Sequence, residues 1–368
     1  MKMIKSTEYR LGQLCKRFSS GKGISADLIS DQGDYPVIGG NGLRGYTDTF
    51  NFDGECAVIG RQGAYCGNVK FFSGKGYMTE HAVVTEPTDE HNAKYMTYKL
   101  GGLQLGRFSG QAAQPGLSVT KLARLRIEMP PKWYQDKVAF ILSSYDNLIE
   151  VNNQRIKVLE QMAENLYKEW FVRFRFPGHE TAEFENGLPK VWSICKLGDI
   201  THIKAGGDRP EICSETPTEV TSVPVFSNGI DNEGLYGYTK NPEIEKESVT
   251  ISARGTVGYV CLRRVPYVPI VRLIAIIPSI NSLPAIYLFY YFRQDSIIAN
   301  GTSQQQITVP MVSKKRIIVP PIQLLSEFER FEKPVWDEMD NIKKQNNELA
   351  KQRDLLLPRL LSGKLEVF

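Results

Sequence analysis

At 368 residues the chain exceeds one ordinary small domain and fits about two. Hydrophobic residues make up 42% and charged residues 23%, which excludes a disordered chain and suits a globular one. The 45 basic and 41 acidic residues leave a formal charge of +4, a surplus that permits a polyanionic partner without requiring one.

The N-terminal residues 1–8 contain no apolar run of the kind a secretory signal needs. Residues 57–60, 81–85 and 124–129 read as short strands between Gly and Asn-Gly turn signals, and residues 92–100 read as a helix. Pro130-Pro131 closes the last of these strands, because proline donates no ladder hydrogen bond. The period then turns helical. Residues 132–142 predict a short helix and Ser143-Ser144 a joint. Beyond it a helix of roughly 28 residues, about 42 Å long, is expected. Ile149, Ile156, Ala163 and Trp170 recur every seventh residue along it, with Leu159 and Leu166 between them. Pro177-Gly178 marks a linker.

The second half repeats this grammar. Strands are expected at 248–252, 272–277 and 315–319, a helix at 284–293, and a Pro-Pro stop at Pro320-Pro321. Lys333-Pro334 predicts a helix joint, and a second long helix follows with Met339, Ile342, Leu349, Leu356 and Leu360 in a stripe diluted by Asn346 and Arg353. Residues 265–292 carry a single charge, Arg272, and imitate a membrane span. Pro266, Pro269, Pro278 and Pro284 cut the stretch into pieces shorter than the ~20 residues a span requires, so a buried strand at 270–277 followed by a helix is expected.

The chain is written twice. Leu11-Gly12-Gln13-Leu14 returns as Leu197-Gly198-Asp199-Ile200, and Pro36-Val37-Ile38-Gly39 as Pro224-Val225-Phe226-Ser227. Asn41-Gly42 matches Asn228-Gly229, Gly45-Tyr46-Thr47 matches Gly237-Tyr238-Thr239, and Arg61-Gln62-Gly63 sits beside Arg254-Gly255. Gln114 aligns with Gln305, Arg126-Ile127 with Arg316-Ile317, and one Pro-Pro with the other. Order is kept throughout while the spacing drifts only slightly, as a duplicated fold requires. Two long apolar stripes of this kind suit a two-helix coiled coil, since a helix so long would overhang its own domain.

Motifs of catalysis are missing from the sequence. It holds no GxxxxGK[ST] loop, GxSxG or HExxH, and no Pro-Asp of a restriction-type nuclease. Neither Pro-Pro has the acidic or Asn residue before it, or the aromatic after it, that an amino-methyltransferase would need. The six cysteines form no CxxC pair and the four histidines are scattered, so a metal site is not expected; reduced thiols in a cytosolic protein are. What recurs in both copies are residues that read base edges or hold phosphates. These are Asn41, Arg44, Tyr46, Arg61, Gln62, Gln111 and Gln114 in the first copy, and Asn228, Tyr238, Arg254, Gln304, Gln305 and Gln306 in the second. Each alone is also an ordinary turn or rim residue; the pattern points to a double-stranded DNA partner.

In this ordered set, completed by Lys168-Glu169-Trp170-Phe171-Val172 and Leu360-Leu361-Ser362-Gly363-Lys364-Leu365, the chain resembles a type I restriction–modification specificity subunit over essentially its whole length. The resemblance implies an α+β protein of two tandem α/β target-recognition domains, each followed by a long helix. The two helices would pair antiparallel as a coiled-coil spacer with pseudo-two-fold symmetry. The expected divisions are residues 1–131, 132–177, 178–321 and 322–368. Each recognition domain would read one half of an asymmetric bipartite DNA site. Ile149, Ile156, Leu159, Leu166, Trp170, Met339, Ile342, Leu349 and Leu356 would form the spacer and dock two methylation subunits, with Trp133, Phe171 and Trp336 nearby. The resemblance gives this cytoplasmic chain no catalytic residue, metal or cofactor of its own. S-adenosylmethionine and ATP belong to the methylation and restriction/translocase subunits. A fused methyltransferase or nuclease with an unfamiliar motif, or a helical scaffold that leaves DNA alone, are the competing readings.

Overall fold

The computed structural model describes residues 4–110, 116–279, 283–294, 306–363, 365 and 367. It divides into two compact units, Met1–Gln154 with Lys343–Phe368, and Arg155–Ile342.

The first unit opens with β1 (Thr7–Arg10), β2 (Cys15–Ser20), β3 (Tyr35–Gly39), β4 (Gly42–Thr47), β5 (Phe52–Gly60), β6 (Val69–Met78) and β7 (Ala82–Pro87). There follow α1 (Ala93–Gly101), α2 (Val119–Ala123), β8 (Arg126–Met129) and α3 (Lys132–Tyr167). A six-stranded sheet runs β2-β7-β5-β6-β3-β4, with β3 parallel to β6 and the other neighbours antiparallel. Strand β5 is apolar at consecutive positions because both its faces are covered. Ala57 and Ile59 join one core with Tyr95, Met96, Leu100, Tyr134 and Leu142, while Cys56 and Val58 join another with Phe52, Met78 and Val84. Helix α1 starts where the Asn92 side chain accepts the Tyr95 N–H at 2.9 Å as its N-cap, within a residue of the helix expected from the sequence. Strands β1 and β8 pair at the foot of the unit, where Pro130-Pro131 ends the ladder.

The second unit contains β9 (Phe184–Glu185), β10 (Leu188–Pro189), β11 (Ser193–Lys196), α4 (Leu197–Ile200), β12 (Thr201–Ala205), β13 (Val223–Phe226), β14 (Leu235–Thr239) and β15 (Ser248–Ser252). It continues through β16 (Val260–Arg263), β17 (Val268–Pro269), β18 (Leu273–Pro278), α5 (Ala285–Gln294), α6 (Val309–Lys314), β19 (Arg316–Val319) and α7 (Ile322–Leu361). The pairings of the first unit recur: β11 with β19, β12 with β18 with β15, and β13 antiparallel to β14 and parallel to β17. One ten-residue strand of the first unit, β6, is split here into β16 and β17. The interruption contains Pro266, which has no N–H to continue a ladder. In β18, Ile274 and Ile276 face the main core while Leu273 and Ala275 face a smaller one. The membrane-like stretch is therefore a strand and the buried helix α5, and among the described residues no helix is long and apolar enough to cross a membrane.

The expected joints in the helices are absent. Helix α3 runs 36 residues and α7 runs 40, and the short helix expected at 132–142 is simply the start of α3. The Ser143 and Ser144 hydroxyls turn back onto the Phe140 carbonyl, at 3.3 and 2.7 Å, which keeps them inside the helix. Pro334 is exposed, as is Arg330, whose carbonyl it leaves unpaired, so water can satisfy that group. Leu325, Phe328, Glu332 and Met339 bury the opposite face, and this packing outweighs the local proline penalty.

Within each unit the long helices run antiparallel. In the first, Tyr134 lies against the Leu360 carbonyl (3.0 Å), Asp146 pairs with Arg353 (2.6 Å), and Asn152 donates to Gln345 and Asn346 (2.9 Å each). In the second, Arg155 pairs with Glu338 (2.8 Å), and the Trp170 ring packs on Phe328 and Phe331 at 5.9 Å. Met339 and Ile342 are buried; Ile149, Ile156, Leu159, Leu166, Leu349 and Leu356 are half-buried. Trp170 and Phe171 belong to the second unit's own core, with Tyr167, Tyr287 and Phe328. The Trp170 ring is thus engaged against α7 inside its own unit, as a spacer residue would be, rather than exposed to a partner. Trp133 is exposed and Trp336 half-buried.

Candidate nucleic-acid interface

The described turns that carry candidate readers converge at one end of each unit's sheet, and in the first unit glycine makes this possible. In the first unit, the Arg61 N–H donates to His81 O (2.9 Å), Leu117 N–H to Arg61 O (2.9 Å), and Gly67 N–H to Gly60 O (2.8 Å). A methyl group at Gly60 would collide with the Gly40 and Tyr65 carbonyls, so only glycine lets these turns meet. The segments around residues 40, 61, 81 and 117 thus form one surface. The second unit builds the same junction: Ala253 N–H to Arg272 O (2.7 Å), Ile307 N–H to Ala253 O (3.0 Å), and Gly258 N–H to Ser252 O (2.9 Å).

These matched bonds fix which residues are equivalent. Arg61 and Ala253 make the same pair of backbone contacts, so the counterpart of Arg61 is Ala253, and Arg254 corresponds to Gln62. His81 likewise corresponds to Arg272. Thr79 N–H to Ile38 O and Ile270 N–H to Phe226 O, both 2.9 Å, place Gly40 rather than Asn41 at the position of Asn228. Matching Arg61 with Arg254 and Asn41 with Asn228 by residue type is therefore off by one position in each case. Tyr46 and Tyr238 are true equivalents, each exchanging backbone bonds with a serine, Ser30 or Ser214.

The side chains divide into readers and supports. Gln62 is exposed and bridges Gly116 through its backbone. Arg61 is half-buried, with Nε donating to Leu117 O (3.3 Å) and Nη1 to Ser20 Oγ (3.4 Å), so it braces the junction from within. Asn41 and Arg44 are exposed at the β3–β4 hairpin, and the Arg44 stem lies over Gly39. Lys70 Nζ donates to Asn41 O (2.8 Å). Sequence reasoning missed this cation; its alternation with Val69 and Phe71 on β6 is the signal that it leaves the sheet on the other face. Tyr46 is half-buried, four residues along β4 from the tip, about 13 Å at strand rise. In the second unit Arg254 is exposed and its guanidinium is held by Gln306 Oε1. Asn228 Nδ2 donates to Arg254 O (2.8 Å), and the Asn228 carbonyl accepts from Thr256 Oγ1. Tyr238 is half-buried. Gln111, Gln114, Gln304 and Gln305 lie outside the described residues.

Lys22, Arg44, Arg61 and Lys70 make this end of the first unit cationic, with Glu80 tied to His81 at 3.1 Å. Such a surface suits an anionic backbone, with amide and guanidinium side chains among the cations to read base edges. Among the described residues no group of three or more His, Cys, Asp or Glu could hold a metal ion, and the six cysteines are free thiols. Burial pushes the thiols of Cys15 and Cys56 up to about 12, away from nucleophilic use.

Comparison with known proteins agrees with this geometry. The model of the type I restriction modification DNA specificity domain matches residues 3–161 and again 189–358, one match per copy. The MjaIX type I restriction enzyme specificity subunit of Methanocaldococcus jannaschii is 29% identical over 307 residues, 76% of this chain and 71% of its own length. The EcoprrI specificity subunit of Escherichia coli is 38% identical over 159 residues, 42% of this chain and 39% of its own. The crystal structure of a type I restriction–modification S subunit from M. genitalium shares the fold, with a TM-score of 0.69 at 19% identity, covering 99% of this chain and 97% of that one. With both copies matched, the chain belongs to the family of type I restriction–modification specificity subunits, the non-catalytic members of their systems, and carries two tandem recognition domains.

Proposed function

We propose that each unit reads one half of an asymmetric, bipartite double-stranded DNA site. The reading rests on one observation above the rest: the same turn junction is built twice, and each copy surrounds it with different polar side chains. Gln62, Asn41, Arg44 and Lys70 occupy it in the first unit, Arg254 with Gln306 in the second, and Gln111, Gln114, Gln304 and Gln305 complete the proposed set. Arg61 and Asn228 act as supports, and Tyr46 and Tyr238 flank the junctions.

The recognition domains are taken as residues 1–131 and 178–321, with helical regions at 132–177 and 322–368. The helices set the gap between half-sites and dock two methylation subunits. Exposed apolar side chains on α3 support docking: Phe140, Leu148 and Val151 on the part in the first unit, Val158 and Met162 on the part in the second. Those partners, with restriction/translocase subunits, supply the S-adenosylmethionine and ATP chemistry, and the complex works in the cytoplasm. The purified chain, incubated with duplexes carrying randomised segments, should enrich a split motif. Its affinity should also fall steeply with salt, each neutralised phosphate adding about −0.9 to the log–log slope. Binding without sequence preference would overturn the reading.

A further inference from the structure

The backbone register separates the two units chemically. Position for position, Gln62 and His81 in the first unit correspond to Arg254 and Arg272 in the second. His81 is tied to Glu80, an anion whose counterpart is the uncharged Val271. Arg272 is exposed, and among the described residues its guanidinium has no hydrogen-bond or ion-pair partner. Its backbone sits at φ +75°, a left-handed conformation that a long side chain rarely adopts. That conformation belongs to the turn whose carbonyl takes the Ala253 N–H, one residue from Arg254. Strain of this kind persists where the surrounding structure dictates it, and here the turn brings the backbone of a second arginine against the residue that precedes Arg254.

The chemistry of base edges then differs between the junctions. Guanine offers two acceptors, N7 and O6, to the major groove, which a guanidinium fork satisfies with two donors. Adenine offers one acceptor and one donor, which a carboxamide matches. In the first unit the nearest guanidinium, Arg61, spends Nε and Nη1 on Leu117 and Ser20, whereas Arg254 is held through Nη2 alone, by Gln306; beside Arg61 the exposed Gln62 amide is the group at the position of Arg254.

We propose that the two half-sites differ in a defined way, Arg254 and Arg272 taking guanine in one and Gln62 taking adenine in the other. The proposal rests on the DNA-reading function above and assigns base classes to its two halves.

The test is selection from a randomised duplex library by the full chain, as wild type and as Arg254→Gln, Arg272→Gln and Gln62→Arg, each checked for its folded state by thermal melting. The arginine variants should lose guanine preference in one half-site by roughly tenfold, with the other half untouched. Gln62→Arg should lose adenine preference in the opposite half. Arg254→Lys keeps the charge but not the fork, and should relax guanine as Arg254→Gln does. Changes from Gln62 and Arg254 falling in the same half-site, or uniform weakening with the motif intact, would overturn the assignment alone. A wild-type chain that enriches no motif would overturn the DNA-reading function itself.

Discussion

The side-chain amide of Asn228 donates to the backbone carbonyl of Arg254 at 2.8 Å, so a residue of the type that reads adenine is spent on holding a neighbouring turn. Its equivalent in the first unit is Gly40, which has no side chain and lets the turns meet by close backbone approach instead. One junction is built by contact and the other by a hydrogen bond.

Asn228→Ala should therefore weaken duplex binding without changing what is bound. The lost bond is worth about 1 kcal/mol, which converts to roughly five- to tenfold in affinity if the Arg254 turn must be ordered on binding. Library selection and titration read the two effects separately. A relaxed base identity at one position would mean that Asn228 touches a base.

Trp170→Ala should destabilise the second unit by about 3–5 kcal/mol, the usual result of emptying an aromatic core position. The ring is 6% exposed and packs on Phe171, Phe328 and Phe331. Urea melts of the purified chain measure this directly. Unchanged stability with lost partner binding would return Trp170 to the surface role that the sequence pattern had invited.

The case of Trp170 shows where sequence reasoning reaches its limit. A heptad stripe says that a face is buried but not by what, and Trp170 satisfies the stripe while packing on its own unit's aromatic residues. The duplication, the strand and helix positions and the Pro-Pro stops were legible because glycine and proline fix backbone geometry locally. The equivalence of Arg61 with Ala253 was not, because identity of side chains is a weaker guide than a hydrogen-bond register visible only in three dimensions. Pro334 misled for a related reason: a proline's cost is local, whereas the packing of Phe328, Glu332 and Met339 around it is tertiary.

Glu332 makes stability depend on pH. Its carboxyl is fully buried in α7, accepts from the Tyr290 hydroxyl at 3.0 Å, and has no partner for its other oxygen among the described residues. Burial lifts its pKa to about 7 against the smaller, opposing pull of the Tyr290 hydrogen bond. The folded state then holds a proton that the unfolded chain has released, so this group costs stability as pH rises from about 4.5 to 7 and throughout the range above. Glu332→Gln should flatten that decline and raise stability at pH 8 by on the order of 2–3 kcal/mol. Denaturant melts at pH 5 and pH 8 should show a larger difference for wild type than for the variant. An equal difference would remove Glu332 as the source.

The spacer role yields a prediction in base pairs. Asn152, buried within an apolar stripe, donates to Gln345 and Asn346, a polar layer of the kind that penalises slipped registers between paired helices. A seven-residue insertion keeps the stripe in phase and adds about 10.5 Å of helix, close to three base-pair steps of duplex. Duplicating residues 149–155 in α3 and the facing residues 342–348 in α7 together should widen the gap between half-sites by about three base pairs and leave both half-site sequences unchanged. Duplicating either segment alone leaves one helix a heptad longer than its partner. That forces the Asn152 layer or the apolar layers beyond it out of match, and should cost folding stability without defining a new gap. Motif selection with the double insertion reads the gap directly; if it stayed the same, the helices would not be what sets it.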